Sequence, residues 1–594
     1  MLNIQTSYAR YLTEATNALA HTPVSVERLE EIKSQLIQEE LIIPVIGVFS
    51  SGKSTALNTL LGRPTLPVDI SPETDLATEL RASSDERVEA IRSDGSIVKF
   101  KLEEMEAIKP RVDEFSHLVL YIDSDVLRRL SPLVLVDMPG FDSTLANHNK
   151  AISRYIGNGA HYLVLISAEE GTITKSLQRH LRDINQLEQS FSFIVSKANL
   201  KPQDELADIL ARVQDQASLL FGEEITVSAM GQDDQEELAT RLREIDPENL
   251  YERIHGRSMK DLHLDLSGTL GLSIAGLQQG ADDCDDTIQE MQLTLEKIVS
   301  KRDSILSEVQ SRHSDASIHR CIHAVETELS QAIHELTDTA MSGDRKAVGL
   351  VVSDITRSVL LSEIKREMNE INSTVVDKLT TEVNELYIKL NGFEIGEDWL
   401  ADFAERVQSG TQRLSTSIQS FSEKMSEKNA HPASQGDVNH NNSVNGSNNE
   451  NKDKTTRNIH LYRALTTTLA VTTSIVIPLI ELVIIFLPEL LSGLMRKRQR
   501  EELRRQITSQ LIPGVKRQLQ AKLPEIYNDQ VESLVENISA TFENKIKEHQ
   551  LTLSKVTLEQ RDNKSDILSQ VEHLTSVQQK IQRLASQHLY REAI

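Results

Sequence analysis

The stretch Gly47-Val-Phe-Ser-Ser-Gly-Lys53-Ser54 constrains this 594-residue chain more than any other. It has the spacing of a phosphate-binding loop, and its surroundings fit. Leu41 to Val48 (LIIPVIGV) reads as a buried strand, and Thr55 to Leu61 (TALNTLL) as the helix that follows. A strand that passes to a helix through a glycine-bearing loop aims backbone N–H groups and a helix N-terminus at one point, where an anion fits. The residues expected to touch the nucleotide are Gly47, Ser50, Ser51, Gly52, Lys53, Ser54 and Thr55. Lys53 is expected to reach the β- and γ-phosphates, and the Ser54 hydroxyl to bind Mg²⁺. The bland alternative is a glycine-bearing turn with no ligand.

A phosphate loop needs further groups before it implies hydrolysis. Asp137-Met-Pro-Gly140 ends the apolar run LVLVD. An Asp there can hold the Mg²⁺ shell through water, and the Gly140 N–H can contact a γ-phosphate and shift when that phosphate leaves. Between the two lies Leu66-Pro-Val-Asp-Ile-Ser-Pro-Glu-Thr74-Asp, a loop placed to cover the phosphates. Its Thr74 hydroxyl would sit on Mg²⁺ and its carbonyl would place a water. Ser54, Thr74 and Asp137 are thus the candidate metal residues, and Lys53, Thr74 and Gly140 are candidates for catalysis.

The base-reading element is expected at Phe191-Ser-Phe-Ile-Val-Ser196-Lys197-Ala198-Asn199. GTPases usually carry Asn/Thr-Lys-x-Asp at such a strand end. The Asp accepts two guanine N–H bonds and the Lys stem packs on the ring. Asn199 offers one carbonyl and a competing amide donor, which is expected to weaken guanine preference by about 1–3 kcal/mol. Ser196, Lys197 and Asn199 are the base-side candidates, and Thr226-Val-Ser228-Ala229 fits a last guanine-contacting loop.

A net charge of −25 makes the chain a poor general nucleic-acid binder, since phosphate attraction needs basic surface. Aromatics are only 4%, which with abundant Leu, Glu, Gln and Lys points to long helices. Cys284 and Cys321 give no disulfide framework and fit a reducing compartment. The N-terminus shows no basic stretch followed by an apolar run, so no signal peptide is expected.

Residues 1–40 read as helix, expected to pack with a helical neck. Over 41–240 short apolar runs alternate with helical stretches: LIIPVIGV, LVLYI, LVLVD, YLVLIS and FSFIVS. That alternation predicts an α/β head, a mostly parallel sheet with helices on both faces. Residues 241–425 read as neck and stalk helices. Ile288, Met291, Leu295, Ile298, Ile305 and Val309 follow a heptad that Arg302 interrupts, and Ile567, Val571, Leu574 and Ile581 form a second. Residues 426–458 collapse to Asn, Ser, Gly, Lys and Asp and read as a flexible loop. Residues 496–594 read as returning helices, broken near Pro513 and Pro524.

The most apolar part of the chain lies within 459–495, from Leu461 to Met495. About twenty apolar residues cross a bilayer, but Pro478, Glu481, Pro488 and Glu489 interrupt this run. Pro478 beside Glu481 reads as the bend of a hairpin whose arms, about 22 Å each, are too short to cross. Lys452, Lys454, Arg457 and Arg463 precede it, and Arg496, Lys497, Arg498 and Arg500 follow. Basic residues on both sides place both ends on the cytoplasmic face and draw anionic lipid, so 459–505 is the expected lipid contact. A shallow hairpin or paddle, a full span and a buried helix pair all remain open.

These residues resemble the dynamin-like GTPases, in their bacterial branch. GVFSSGKSTALNTLLG followed by LPVDISPETDLATEL carries the resemblance, together with LVLVDMPG, HYLVLISAEEGTITKS and the stretch from Phe191 to Met230. The resemblance implies a head that binds GTP or GDP and Mg²⁺, a helical stalk and a membrane-binding apolar tip. Two heads would pair across their nucleotide faces, and the partner head may belong to a homologous chain in such families. Ser50 matches the loop hydroxyl that helps place a charge-compensating cation and the partner head. Phe49 stands where eukaryotic members have a catalytic Gln, and Asn199 replaces the Asp. The implied place is cytoplasmic, peripheral or hairpin-inserted at the cytoplasmic membrane face. Two rivals stand beside this reading: a nucleotide-switched membrane scaffold with weak or no hydrolysis, and a coiled-coil ATPase, which would need further ATP-contacting motifs near the C-terminus. His319, Cys321 and His323 read as satisfied or solvated rather than as metal ligands, and Asp282 to Asp286 as a solvated helix start.

Overall fold

The computed structural model describes residues 1–67, 76–92, 94–140, 155, 159–185, 190–222, 225–231, 235–279, 281–312, 314–342, 345–389, 500–562 and 567–590. Thr74, the Asn/Ser-rich stretch and the apolar segment lie outside these residues.

One nine-stranded sheet forms the head. Its strands are β1 (Leu41–Ile46), β2 (Thr78–Ala82), β3 (Arg87–Arg92), β4 (Ile97–Phe100), β5 (Phe115–Ile122), β6 (Leu133–Asp137), β7 (His161–Ser167), β8 (Ser190–Ser196) and β9 (Val227–Ala229), in the order β4-β3-β5-β2-β6-β1-β7-β8-β9. All five apolar runs are strands. From β6 through β1 and β7 to β9 every pairing is parallel. Five of the eight strand pairings are parallel, β2 with β5 among them, so the sheet is mostly parallel as expected, and the antiparallel pairings all lie on the β6 side of β1. β2 runs antiparallel to β6, and β3 runs antiparallel to both β4 and β5. β2 (TELRA) and β3 (RVEAIR) mix charged with apolar residues, and their buried Glu79 and Glu89 are paired with Arg81 and Arg87.

Among the described residues, seven helices belong to the head and its N-terminal approach: α1 (Asn3–Leu19), α2 (Glu27–Gln38), α3 (Lys53–Leu61), α4 (Asp125–Leu130), α5 (Lys175–Asn185), α6 (Gln203–Phe221) and α7 (Gln235–Glu244). Alternation along β1 splits the head core in two. Leu41, Ile43 and Val45 face α3 and the N-terminal helices, while Ile46 and Val48 join α5 and α6 on the other side.

The rest is helical: α8 (Pro247–Gln279), α9 (Ala281–Arg312), α10 (Ser314–Gln331), α11 (Ile333–Met341), α12 (Arg345–Lys389), α13 (Arg500–Gln506), α14 (Ile512–Asp562) and α15 (Ile567–His588). The 51 residues of α14 span about 75 Å at the ordinary helical rise. Met291, Leu295, Ile298, Ile305 and Val309 of α9 are buried in the trunk, while Arg302 turns aside to Asp303. The expected breaks differ in kind. Pro524 lies inside α14, which runs straight through it, whereas Pro513 follows a single π-helical turn, Ile507–Leu511. A proline at the first turn of a helix removes an N–H that has no partner there in any case. Asp283, Asp285 and Asp286 sit exposed at the start of α9, His319 and His323 are exposed, and Cys321 is buried. Among the described residues no cluster of His, Cys, Asp or Glu could hold a metal ion, and no helix is long and apolar enough to cross a membrane.

Candidate nucleotide site

The phosphate loop leaves β1 and enters α3 with two left-handed residues, Ser50 (φ 60°) and Gly52 (φ 85°). Only glycine holds such a φ without strain, which accounts for Gly52. Gly47 is needed for space. A Cβ there would lie 2.4 Å from the Leu165 carbonyl oxygen and 2.6 Å from Ser51 Oγ. Lys53, only 7% exposed, curls back over the loop. Its Nζ donates to the Val48 carbonyl at 3.1 Å and the Gly47 carbonyl at 3.3 Å. Thr55 follows half-buried in the first turn of α3.

Ser54 donates its hydroxyl to Asp137 Oδ2 at 2.6 Å. The expected metal pair is therefore in contact, although 83 positions separate the two residues in sequence. Asp137 Oδ1 and Ser51 Oγ are both buried without a hydrogen-bond partner. Burial pushes the Asp137 carboxyl above its ordinary range, against the pull of Ser54 and Lys53. A hydroxyl beside a buried carboxylate with a spare oxygen is the hard-oxygen donor set that Mg²⁺ accepts, and a cation would reverse the cost of that buried charge. These residues fit the ion. Gly140 lies against the loop itself: a Cβ there would meet Phe49 Cα at 2.8 Å and Phe49 N at 2.9 Å. Phe49 and Ser50 stand exposed at the crest of the loop.

On the base side, Lys197 is left-handed (φ 57°) and its ammonium pairs with Glu169. Asn199 is exposed on the short 3₁₀ turn Ala198–Leu200. The Ala198 N–H donates to the Met230 carbonyl at 3.1 Å, so this turn is stitched to the exit of β9. Ser196 points elsewhere. It is buried, and its hydroxyl donates to the Ser51 carbonyl at 2.6 Å. It braces the phosphate loop.

Sequence reasoning missed several supporting residues. Asn58 of α3 accepts from the Thr65 and Leu66 N–H groups and donates to the Leu66 carbonyl, which pins the start of the stretch leading to Thr74. Glu79 of β2 accepts from the Tyr155 hydroxyl at 2.8 Å and pairs with Arg81. Burial alone would raise its carboxyl, but His117, Arg81 and Tyr155 together hold it below its ordinary range. Asn58, Glu79 and Glu169 lie within the stretches that carry the resemblance, but their hydrogen bonds and ion pairs depend on the backbone path.

The strand order, the loop and the Ser54–Asp137 contact describe one kind of head. Residues 43–198 match the family model described as the dynamin family. The head is similar to the dynamin family. The chain is 25% identical over 189 residues to a probable transmembrane GTPase, FZO-like and chloroplastic, of Arabidopsis thaliana, covering 32% of this chain and 18% of that protein. It is 25% identical over 267 residues to dynamin-like protein 2 of Campylobacter jejuni, covering 43% of this chain and 40% of the other. The chain spans about half or less of the length of the curated relatives it matches. Among solved structures, a chain of an oligomerised bacterial dynamin pair, described as a mechanism for long-range sensing and tethering of membranes, aligns over 97% of this chain and 95% of its own. Its TM-score is 0.31 at 14% identity. The head is built on a mixed sheet whose phosphate-loop half is parallel, and α8 to α15 form the helical part of the chain.

Proposed function

We propose that this protein is a GTPase that binds GTP with Mg²⁺, attacks the γ-phosphate with a positioned water, and couples that cycle to a membrane through its helical stalk. The contact between Ser54 and Asp137, with Gly140 pressed on Phe49, carries this reading. It joins the phosphate loop, a metal-holding pair and a glycine able to sense the γ-phosphate at one point. In phosphoryl transfer the protein contributes mainly position and charge, and this site supplies both. Lys53 would hold the phosphates, Ser54 and Asp137 the ion, and Thr74 would cover them. Ser50, exposed at the crest, would face a second head, of this chain or of a homologous one. Bound Mg²⁺ would neutralise the phosphate charge that develops in the reaction. Lys197 and Asn199 would meet the base.

The membrane half rests on the sequence between 459 and 505, and is supported by the similarity to the probable transmembrane GTPase of Arabidopsis. Anionic lipid at the cytoplasmic face is the surface its flanking Arg and Lys would meet. A second reading has one observation in its favour. Phe49 is 37% exposed at the loop crest, where an apolar ring cannot orient a water. On that reading the protein is a nucleotide-switched membrane scaffold with little hydrolysis.

Turnover of the full chain at high protein concentration, with and without acidic liposomes, separates the two. GTP hydrolysis that rises with lipid and disappears in Lys53→Ala supports the GTPase. Nucleotide binding with no turnover supports the scaffold. Undiminished hydrolysis by Lys53→Ala refutes the mechanism.

A further inference from the structure

The head meets the helical part of the chain through two joints of opposite chemistry. The first is apolar. Leu41, Ile43 and Leu133 of the sheet share one continuous core with Leu12 and Leu19 of α1, Leu270 of α8 and Ile581 of α15. The second joint lies between α5 and the trunk helices α11 and α12, and it is polar.

Ser176, Arg179, His180 and Asp183 fall at i, i+3, i+4 and i+7 on α5, so they share one face. That face meets Asp354, Arg357 and Ser358 of α12 and Glu335 of α11. Arg357 is the centre. Its Nε donates to Asp183 Oδ2 at 3.3 Å, its Nη1 to Asp354 Oδ1 at 3.1 Å, and its Nη2 to His180 Nδ1 at 2.7 Å. Ser358 donates to Asp183 Oδ1 at 2.8 Å, Ser176 to Asp354 Oδ2 at 3.0 Å, and Arg179 to Glu335 Oε2 at 2.8 Å. The side chains of Arg357 and Asp183 are 9% and 2% exposed. The apolar residues of α5 (Leu177, Leu181, Ile184) turn into the head core, and those of α12 (Val352, Ile355, Leu360) into the trunk core. These two cores remain separate, so the joint is fastened by charge and hydrogen bonds.

Such a joint is poised to part. Buried ion pairs roughly repay their own desolvation, and when both faces return to water the charges are hydrated again. Polar interfaces between units of one chain are accordingly the ones that move, whereas an apolar core does not open cheaply. The polar face is also tied to the base side of the nucleotide site. α5 begins a few residues after Glu169, which holds Lys197, and the neighbouring Ala168 N–H donates to the Ser196 carbonyl at 2.9 Å.

We propose that the contact between α5 and α12 is an autoinhibitory latch. Arg357, bridging Asp183 and Asp354, holds the head against the trunk and restrains turnover. Parting of the two faces lifts the restraint, while the apolar joint keeps the head attached. The restraint on turnover rests on the GTPase reading, whereas the latch itself has a shape readout.

The test uses the full chain with Asp183→Arg, Arg357→Asp and the two combined. Each single reversal puts like charges together and is expected to enlarge the radius of gyration in small-angle scattering and raise basal GTP turnover by about tenfold or more. The combined reversal, made together with Asp354→Asn so that no like charge faces position 357, restores the pair and is expected to return both towards the parent values. Arg179→Ala removes one ion pair beside the buried charges without reversing them, and is expected to enlarge the radius of gyration less than the reversals do and to raise turnover about two- to threefold. Single variants that stay as compact as the parent, or a combined variant no nearer the parent than the singles, overturn the latch. Expansion in a protein that hydrolyses no GTP supports the latch and refutes the GTPase reading instead.

Discussion

Ser54 of the first helical turn after the phosphate loop donates to Asp137 at the end of β6, 2.6 Å away, and leaves the other Asp137 oxygen buried and unpaired. Asp137→Asn removes the charge and keeps the shape. It is expected to weaken Mg²⁺ binding by about 10–100-fold. Titration of Mg²⁺ against turnover would show a rightward shift, with GDP affinity in chelator unchanged. An unshifted curve would remove Asp137 from the ion site.

Gly140 has no room for a side chain. Its Cβ would sit 2.8 Å from Phe49 Cα, a backbone atom that cannot swing away. Gly140→Ala is expected to push the two loops apart by a fraction of an ångström to an ångström and lower kcat by about a hundredfold. Binding of GDP, which lacks the γ-phosphate, is expected to change far less. Equal losses in kcat and in GDP affinity would mean that Gly140 only shapes the pocket.

Ser196 and Asn199 lie three positions apart and are expected to fail differently. Ser196→Ala deletes the 2.6 Å bond to the Ser51 carbonyl and should cost about tenfold in affinity for every nucleotide alike. Asn199→Asp supplies the charged acceptor and should raise the preference for GTP over XTP by about tenfold or more. Competition of GTP, XTP and ATP against a fluorescent GDP measures both. A changed base preference in Ser196→Ala would contradict its role as a brace.

Buried histidines contribute to the response to acid, His549 and His161 among them. Burial, and then Lys545, lower the His549 pKa from 6.5 to about 3, with Asp265 opposing. Burial, and then Arg253, lower that of His161 to about 4. Both are neutral in the folded chain and take a proton on unfolding once the pH falls below 6.5. Their contribution is therefore complete above pH about 6.5 and is lost as the pH falls towards the folded values, at about 1 kcal/mol per pH unit for each. Thermal melting between pH 7.5 and 5 should show a falling Tm. His549→Gln is expected to flatten the slope, and an unchanged slope would clear His549 of this role.

The loop was legible because it is local, whereas the contact of Ser54 with Asp137 joins residues 83 positions apart. Gly47 to Ser54 is one strand–loop–helix, and Asp137 closes a run of buried residues that announces itself as a strand. The parallel half of the sheet was legible for the same reason. Its strands are buried on both faces and read as unbroken apolar runs. β2 to β4 were not, because Arg, Glu and Lys alternate through them and the pairing that makes them strands comes from β5 and β6.

Sequence by itself thus determined the α/β head, its phosphate-type loop and the helical character of the rest. Tertiary structure decided what the polar residues between them do. Ser196 reads as a base contact and proves to hold the phosphate loop from beneath. Ser176, Arg179, His180 and Asp183 read as the wet face of a helix, as do Asp354, Arg357 and Ser358. A charged stripe at helical spacing looks the same whether water or an opposite stripe covers it. Only the packing of two helices far apart in sequence places Arg357 between Asp183 and Asp354 and turns a solvated face into a buried joint.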